Sequence, residues 1–157
     1  MITFKQIRRL TYLVILLGFA IFQLATSGLV RRTFEFYAYD DQRSVIEERM
    51  LHKTPLPEAS IRAYIEELVL GPVSVDLAPL VTAGTRLRAF MYRDGVVYAD
   101  FTPDAIHPVQ GGRPLFDGFL AINQGIRRNF RQVSDVKLFV FGNEVFFEEF
   151  EKFFGAE

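Results

Sequence analysis

The stretch RLRAFMYRDGVVYADF, residues 86–101, decides the fold of this chain. The dipeptide Asp94-Gly95 lies between two runs in which apolar and polar residues alternate, the pattern of a β-hairpin with a two-residue turn. Pairing outward from this turn places Arg88 opposite Phe101 and puts Asp100 on the less apolar face. Asp94 and Asp100 are then roughly 15 Å apart or more along the hairpin. Cooperating catalytic carboxylates stand about 5–10 Å apart, so the stretch predicts a folding unit and not an active site.

Upstream of the hairpin, the sequence predicts two strands and a helix. Residues Arg31–Asp40 alternate and are rich in aromatic side chains, and Ser44–His52 is short enough to pair back as a second strand. The helix begins after Pro57 and ends at Gly71-Pro72. Its apolar residues recur at helical spacing and form one inward stripe: Ile61, Tyr64, Ile65, Leu68 and Val69.

Downstream of the hairpin, a second helix and a second pair of strands are predicted. A loop over Thr102–Pro114 leads into a helix over Leu115–Arg131. The run Asp135–Phe141 has strand character, and Glu144–Phe147 is placed to pair back after a turn. The order ββ-α-ββ-α-ββ indicates an α+β fold, a two-layer sandwich in which two helices cover one face of an antiparallel or mixed sheet.

The N-terminal residues have the pattern of a membrane anchor. Residues 10–30 carry no charge and as a helix would span about 30 Å, the thickness of a bilayer core. Basic residues in the segment 1–9 favour a cytoplasmic N-terminus, which predicts a single-pass protein of the inner membrane with its domain outside or in the periplasm. A cleaved signal peptide is the alternative, because Ala25–Ser27 offers small residues suited to cleavage.

Composition excludes several classes of function. The net charge of −1 gives no electrostatic basis for binding nucleic acid. The absence of cysteine excludes disulfides, thiolate metal sites, a cysteine nucleophile and acylation of a lipoprotein cysteine. Asp104 and His107 share one loop, but with two histidines in the chain a full metal-ligand set is hard to assemble, and a solvated loop pair is the preferred interpretation. We predict no metal, no cofactor and no enzymatic activity.

Two groups of residues are candidates for binding a partner. The C-terminal tail, residues 148–157 and the positions just before it, carries an aromatic stripe if helical: Phe146, Phe147, Phe150, Phe153 and Phe154. A basic cluster lies at the end of the second predicted helix and could hold an acidic partner or lipid headgroups: Arg127, Arg128 and Arg131. The alternatives are that the stripe covers the domain's own core and that the arginines form a solvated helix end.

Three motifs in the exported part resemble the GerMN domain, which occurs in sporulation and germination proteins and in bacterial envelope proteins. They are Leu70-Gly71-Pro72 at a helix end, AGTRL at Ala83–Leu87, and DGVVYADFT at Asp94–Thr102. The resemblance extends over most of the predicted domain, residues 33–147. The chain departs from the family pattern at Thr82, where proline is usual, and it carries one copy of the domain where the germination protein has two.

The resemblance implies a non-enzymatic module in the bacterial cell envelope. Its partners would be other envelope proteins or further copies of itself, since similar domains build ring-like oligomers in sporulating cells. The alternative function is a binding module for a small ligand or a cell-wall glycan, using the loop Asp104–Pro114.

Overall fold

Three α-helices and seven strands make up the residues described by the computed structural model, which are 4–26 and 28–146. In chain order they are α1 (Phe4–Thr26), β1 (Leu29–Ala38), β2 (Ser44–His52), α2 (Pro57–Leu70), β3 (Leu77–Ala78), β4 (Leu87–Arg93), β5 (Val96–Phe101), α3 (Leu115–Asn129), β6 (Asp135–Val140) and β7 (Asn143–Glu144). A 3₁₀ turn, Pro103–Ile106, precedes α3. The α+β class is confirmed, and the element order differs from the predicted one by the short strand β3.

The strands form two sheets, where a single sheet was expected. One has the order β2-β1-β3 and the other the order β4-β5-β6-β7, with β5 and β6 parallel and the other pairs antiparallel. The edge of β1 opposite β2 is only partly paired: β3 bonds it at Tyr37 and Ala38, and an α3 side chain bonds it at Thr33. The Thr33 amide donates to Asn129 Oδ1 (3.1 Å), and Asn129 Nδ2 donates to the Thr33 carbonyl (2.8 Å). These bonds satisfy the Thr33 backbone on the edge of β1 opposite β2.

The core lies between the helices and the two sheets. Aromatic side chains dominate its centre: Phe34 stacks on Tyr64 with ring centroids 4.7 Å apart, and Tyr64 meets the edge of Phe130 at 5.6 Å. Of the predicted α2 stripe, Val69 is only partly buried and the others are fully buried: Ile61, Tyr64, Ile65 and Leu68. Burial also raises the pKa of the Tyr64 hydroxyl, which donates to the Thr33 carbonyl at 2.9 Å.

The hairpin confirms the predicted turn and most of the predicted pairing. Asp94 and Gly95 both have positive φ, 51° and 81°, as a two-residue hairpin turn requires. The expected pairing of Arg88 with Phe101 is wrong, because a β-bulge at Arg88 brings Leu87 opposite Phe101. The bulge turns Arg88 toward Asp100, whose Oδ2 lies 2.9 Å from Arg88 Nε.

The helix α1 exposes its apolar side chains from Leu10 to Phe22. It ends at Thr26, so Leu29 and Val30, which the sequence placed with the anchor, begin β1. Within residues 4–26 and 28–146, no helix combines the length and the apolar character that crossing a membrane requires.

Candidate functional site

A groove of about 860 Å³ runs between α3 and β6, and we call it the α3–β6 groove. It exists because β7 is short: β7 pairs with Phe139 and Val140 only, so along the first half of β6 the edge opposite β5 has no strand in the described part of the chain. The α3 wall contributes Asn123, Gln124, Arg127 and Arg128, and the opposite wall contributes Lys137 and Phe146.

Two of the three predicted arginines line this groove, and they differ in their surroundings. Arg128 Nη1 lies 2.7 Å from Glu35 Oε2 on β1. A hydrogen bond from Ser44, together with Arg128, lowers the pKa of the Glu35 carboxyl against the opposing effect of burial. Arg127 is exposed and makes no ion pair with any described residue. Arg131 is also exposed but does not line the groove, so only two of the three arginines of the predicted cluster belong to this surface.

The groove also receives the first residue of the predicted aromatic stripe. Phe146 lies on its rim with 52% of its surface exposed. The remaining members of the stripe lie outside the described residues: Phe147, Phe150, Phe153 and Phe154. The structure therefore brings Phe146, Arg127 and Arg128 together at one surface, although the sequence indicated two unrelated groups.

The floor of the groove is the open backbone edge of β6. The Val136 amide bonds the carboxylate of its neighbour Asp135 (2.8 Å), and the Val136 carbonyl accepts a long bond from Asn123 Nδ2 (3.4 Å). One step along, the Leu138 carbonyl accepts a regular bond from the Val145 amide (2.8 Å). Sequence reasoning missed this edge, since it depends on how early β7 stops.

The loop Asp104–Pro114, predicted as an alternative binding surface, is held against the domain by hydrogen bonds. Asp104 lies in the 3₁₀ turn and His107 directly follows it; both are exposed, and the His107 amide donates to the Asp104 carbonyl. Farther along, Arg113 Nη2 donates to the Gln42 carbonyl at 2.6 Å. The loop lines neither the α3–β6 groove nor a smaller cavity of about 430 Å³ between Thr54 and the start of β1. No group of three or more acidic or histidine side chains converges within the described residues.

No protein-family model matches this chain, and no curated protein matches it. Some solved structures, in contrast, have a similar fold. The tandem GerMN domains of the Bacillus subtilis sporulation protein GerM superpose with a TM-score of 0.54 at 18% identity, over 75% of this chain and 41% of that one. The first GerMN domain alone gives 0.51 at 18% identity, over 74% and 86%. The fold is GerMN-like. A candidate lipoprotein of Clostridium perfringens gives 0.48 at 19% identity, over 76% and 80%, too weak a likeness to inform function.

In this GerMN-like domain, the motif Gly71-Pro72 is held by a pair of partly buried charges. Glu47 accepts hydrogen bonds from the amides of Val73 (3.3 Å) and Ser74 (3.1 Å), just beyond the motif. Arg49 bonds Glu47 Oε2 at 2.7 Å and the Gly71 carbonyl at 2.8 Å. Burial alone would raise the pKa of Glu47, but the bonds from Arg49 and the two amides lower it.

The groups of the Arg49 cluster bond one another and line neither the α3–β6 groove nor the smaller cavity beside Thr54, so we interpret the cluster as structural. The guanidinium lies over the rings of Phe34 (4.7 Å) and Phe36 (5.4 Å) and also reaches Glu67 at 3.3 Å. The motif around Thr85 is likewise internal: its hydroxyl donates to the Thr82 carbonyl at 2.7 Å. The GerMN-like motifs therefore account for the fold and leave the α3–β6 groove as the candidate site.

Proposed function

We propose that this chain is a non-enzymatic interaction module of the cell envelope, attached to the membrane by α1, which binds a protein segment in the α3–β6 groove. The observation that carries the proposal is the open edge of β6 beside Arg127, a cation with no ionic partner among residues 4–26 and 28–146. An extended segment can add to such an edge through main-chain hydrogen bonds, while side-chain pockets supply specificity. Val136 offers the backbone groups and Arg127 offers the charge.

The chemistry of the groove favours a peptide with an acidic residue. Its walls mix apolar groups with amide and cationic groups, as at the rim of a protein interface. Arg127 lies in the last turn of α3, so an acid of the partner can pair with it at one end of an added strand. The partner class is therefore an extended acidic segment of another envelope protein or of a second copy.

Attachment to the membrane is supported by α1. Its apolar side chains from Leu10 to Phe22 are largely exposed, and exposed apolar surface of this extent favours contact with lipid. The single-pass topology, with the N-terminus inside, stays a prediction. Labelling of single cysteines introduced at Lys5 and at Arg43 with a membrane-impermeant reagent tests it: the prediction requires that only the second is labelled in intact cells.

A steric block tests the groove. Gln124 is an exposed residue of the α3 wall, and Gln124→Trp fills the groove at little cost to the helix. Arg62→Trp, on the exposed face of α2, is the matched control. We expect the native mass of the detergent-extracted protein to exceed the single-chain mass of 18.1 kDa, and to fall to it in Gln124→Trp only. A single-chain mass in all three proteins would contradict the proposed function.

A further inference from the structure

The smaller cavity, of about 430 Å³, lies where the chain enters the domain from α1, and we call it the Lys53 cavity. Its lining includes Leu29 and Val30 at the start of β1, and Lys53, which follows β2. The Lys53 amide donates to the Gly28 carbonyl at 2.5 Å, which holds Lys53 beside the start of β1. Leu29 comes three residues after Thr26, the last residue of α1, and three residues span at most about 11 Å. The cavity wall is therefore close to the end of α1.

Both ionisable side chains in the described lining of the Lys53 cavity are cations, Arg32 and Lys53. Lys53 is exposed, so its long side chain can adjust to a ligand at the mouth of the cavity. Arg32 is fixed: its Nη1 donates to the Asn129 carbonyl (2.5 Å), and its guanidinium carbon lies 4.2 Å from the centroid of the Phe130 ring. A guanidinium carries five N–H donors, so the same group can also bind the oxygens of an anion. Burial lowers the pKa of Arg32, and an anion in the cavity would offset that cost.

The rest of the lining is mostly apolar. The uncharged polar members are Thr54, Ser60 and Gln132, and the apolar members are Leu29, Val30, Pro55, Pro57 and Phe130. The hydroxyls of Thr54 and Ser60 lie 2.7 Å apart and bond each other. The volume falls within the range of about 300–1,000 Å³ that is typical of small-molecule sites. A ligand that suits this cavity combines an anionic group with an apolar part.

We infer that the Lys53 cavity binds the headgroup of an anionic phospholipid, with Arg32 and Lys53 on the phosphate and with Val30 and Pro55 against the apolar part of the lipid. Such a lipid joins the two chemistries in one molecule, and its headgroup lies where a membrane-attached helix leaves the bilayer. The inference goes beyond binding in the α3–β6 groove and rests only on the proposed attachment by α1. The bound headgroup would hold the domain against the membrane surface by a second contact besides α1.

Native mass spectrometry of the full chain in detergent micelles tests the inference. The protein is titrated with phosphatidylglycerol, which is anionic, or with phosphatidylcholine, which carries no net charge. We expect phosphatidylglycerol to bind at least about ten-fold more tightly, because two cations face its phosphate. In Lys53→Gln, the affinity for phosphatidylglycerol should fall by about three- to ten-fold, the contribution of one cation near a headgroup.

The matched control is Arg31→Gln, which removes the same charge at an exposed residue of β1 that does not line the cavity. Arg31 pairs with Glu48 at the surface, and its loss should change the affinity by less than about two-fold. Equal losses in Lys53→Gln and Arg31→Gln would mean a general attraction between charges and would overturn the inference. Equal affinity for the two lipids would overturn it as well. Inorganic phosphate that binds as tightly as the lipid would assign the cavity to free phosphate and overturn the lipid assignment.

A phosphatidylglycerol with a photoreactive headgroup provides the second readout. We expect its adducts on the peptide that contains Lys53 and Pro55, and adducts spread evenly over the exposed residues of the domain would contradict the site. Extraction of cell membranes at high pH separates this inference from the proposed attachment. A protein released by that extraction would contradict attachment by α1, whereas a retained protein without preference between the two lipids would contradict only the Lys53 cavity.

Discussion

The loss of Arg49 should destabilise the domain more than the loss of any exposed arginine. Arg49→Met keeps the length and apolar body of the side chain but removes the charge that faces Glu47 at 2.7 Å. Both side chains are largely buried, with 13% and 15% of their surfaces exposed. Breaking a buried pair by removing one partner costs about 3–5 kcal/mol. Because both side chains keep some exposure, we expect Arg49→Met to lower the free energy of unfolding by about 3 kcal/mol.

Urea and thermal unfolding of the full chain, followed by near-ultraviolet circular dichroism, measure this loss. For a domain of this size about 3 kcal/mol corresponds to a fall in Tm of roughly 10 °C. The matched control is Arg62→Met, whose exposed pair with Glu66 contributes at most about 0.5 kcal/mol. Adding Glu47→Gln to Arg49→Met should recover part of the stability, because the uncompensated carboxylate is then gone. A loss below about 1 kcal/mol in Arg49→Met would refute the reasoning.

The same pair predicts a dependence on pH. The pKa of Glu47 is lowered in the folded protein, so its contribution to stability is fully present above the ordinary glutamate value of about 4.3. That contribution is lost as the pH falls through the lowered folded pKa. The stability difference between the native protein and Arg49→Met should therefore narrow below about pH 4. A stability difference between the two proteins that stays constant down to pH 3 would show that the Arg49–Glu47 pair is not the cause of the lost stability.

Three further substitutions separate structural residues from tolerant ones, each measured by urea unfolding. Gly95→Val should lower the free energy of unfolding by about 2–3 kcal/mol or prevent folding, because φ is 81° and an added Cβ would lie 2.8 Å from Ser134 Oγ. A variant of near-native stability would contradict the assigned two-residue turn. Gly118→Ala should lower the free energy of unfolding by at least about 3 kcal/mol, since the added Cβ would lie 2.1 Å from the Leu80 carbonyl oxygen. A smaller loss would mean that α3 can shift away from Leu80 at little cost. Asp100→Asn should cost about 1 kcal/mol or less, because an amide oxygen can still accept from the Gly142 amide; unfolding would contradict this.

Local signals in the sequence predicted most of the secondary structure. The Asp94-Gly95 turn, the α2 stripe and the strand Ser44–His52 each depend on residues close together in the chain, so periodicity and turn chemistry suffice to find them. The bulge at Arg88 was not predicted, because the alternating pattern of the hairpin gives no sign of the register shift between Leu87 and Ala89.

The division into two sheets and the composition of the groove depend on long-range contacts. Asn129 of α3 bonds the backbone of β1 at Thr33, beyond the two residues that pair with β3, and nothing in its sequence neighbourhood indicates that role. The groove arises because β7 stops after Glu144, which leaves the edge of β6 opposite β5 without a strand at Val136 among the described residues. Arg127 and Arg128 were identified from the sequence, but their meeting with Phe146 required the packing of α3 against β6.

Site-specific photo-crosslinking in cells tests the central claim, that the α3–β6 groove binds a protein segment, most directly. A photoreactive residue at position 124 lies in the groove, and the same residue at position 62 lies on the exposed face of α2. We expect position 124 to give a discrete adduct between chains that maps to one acidic segment of the partner. Arg127→Glu should weaken this adduct, and position 62 should give none. Adducts of equal yield from both positions, or none between chains from position 124, would contradict it.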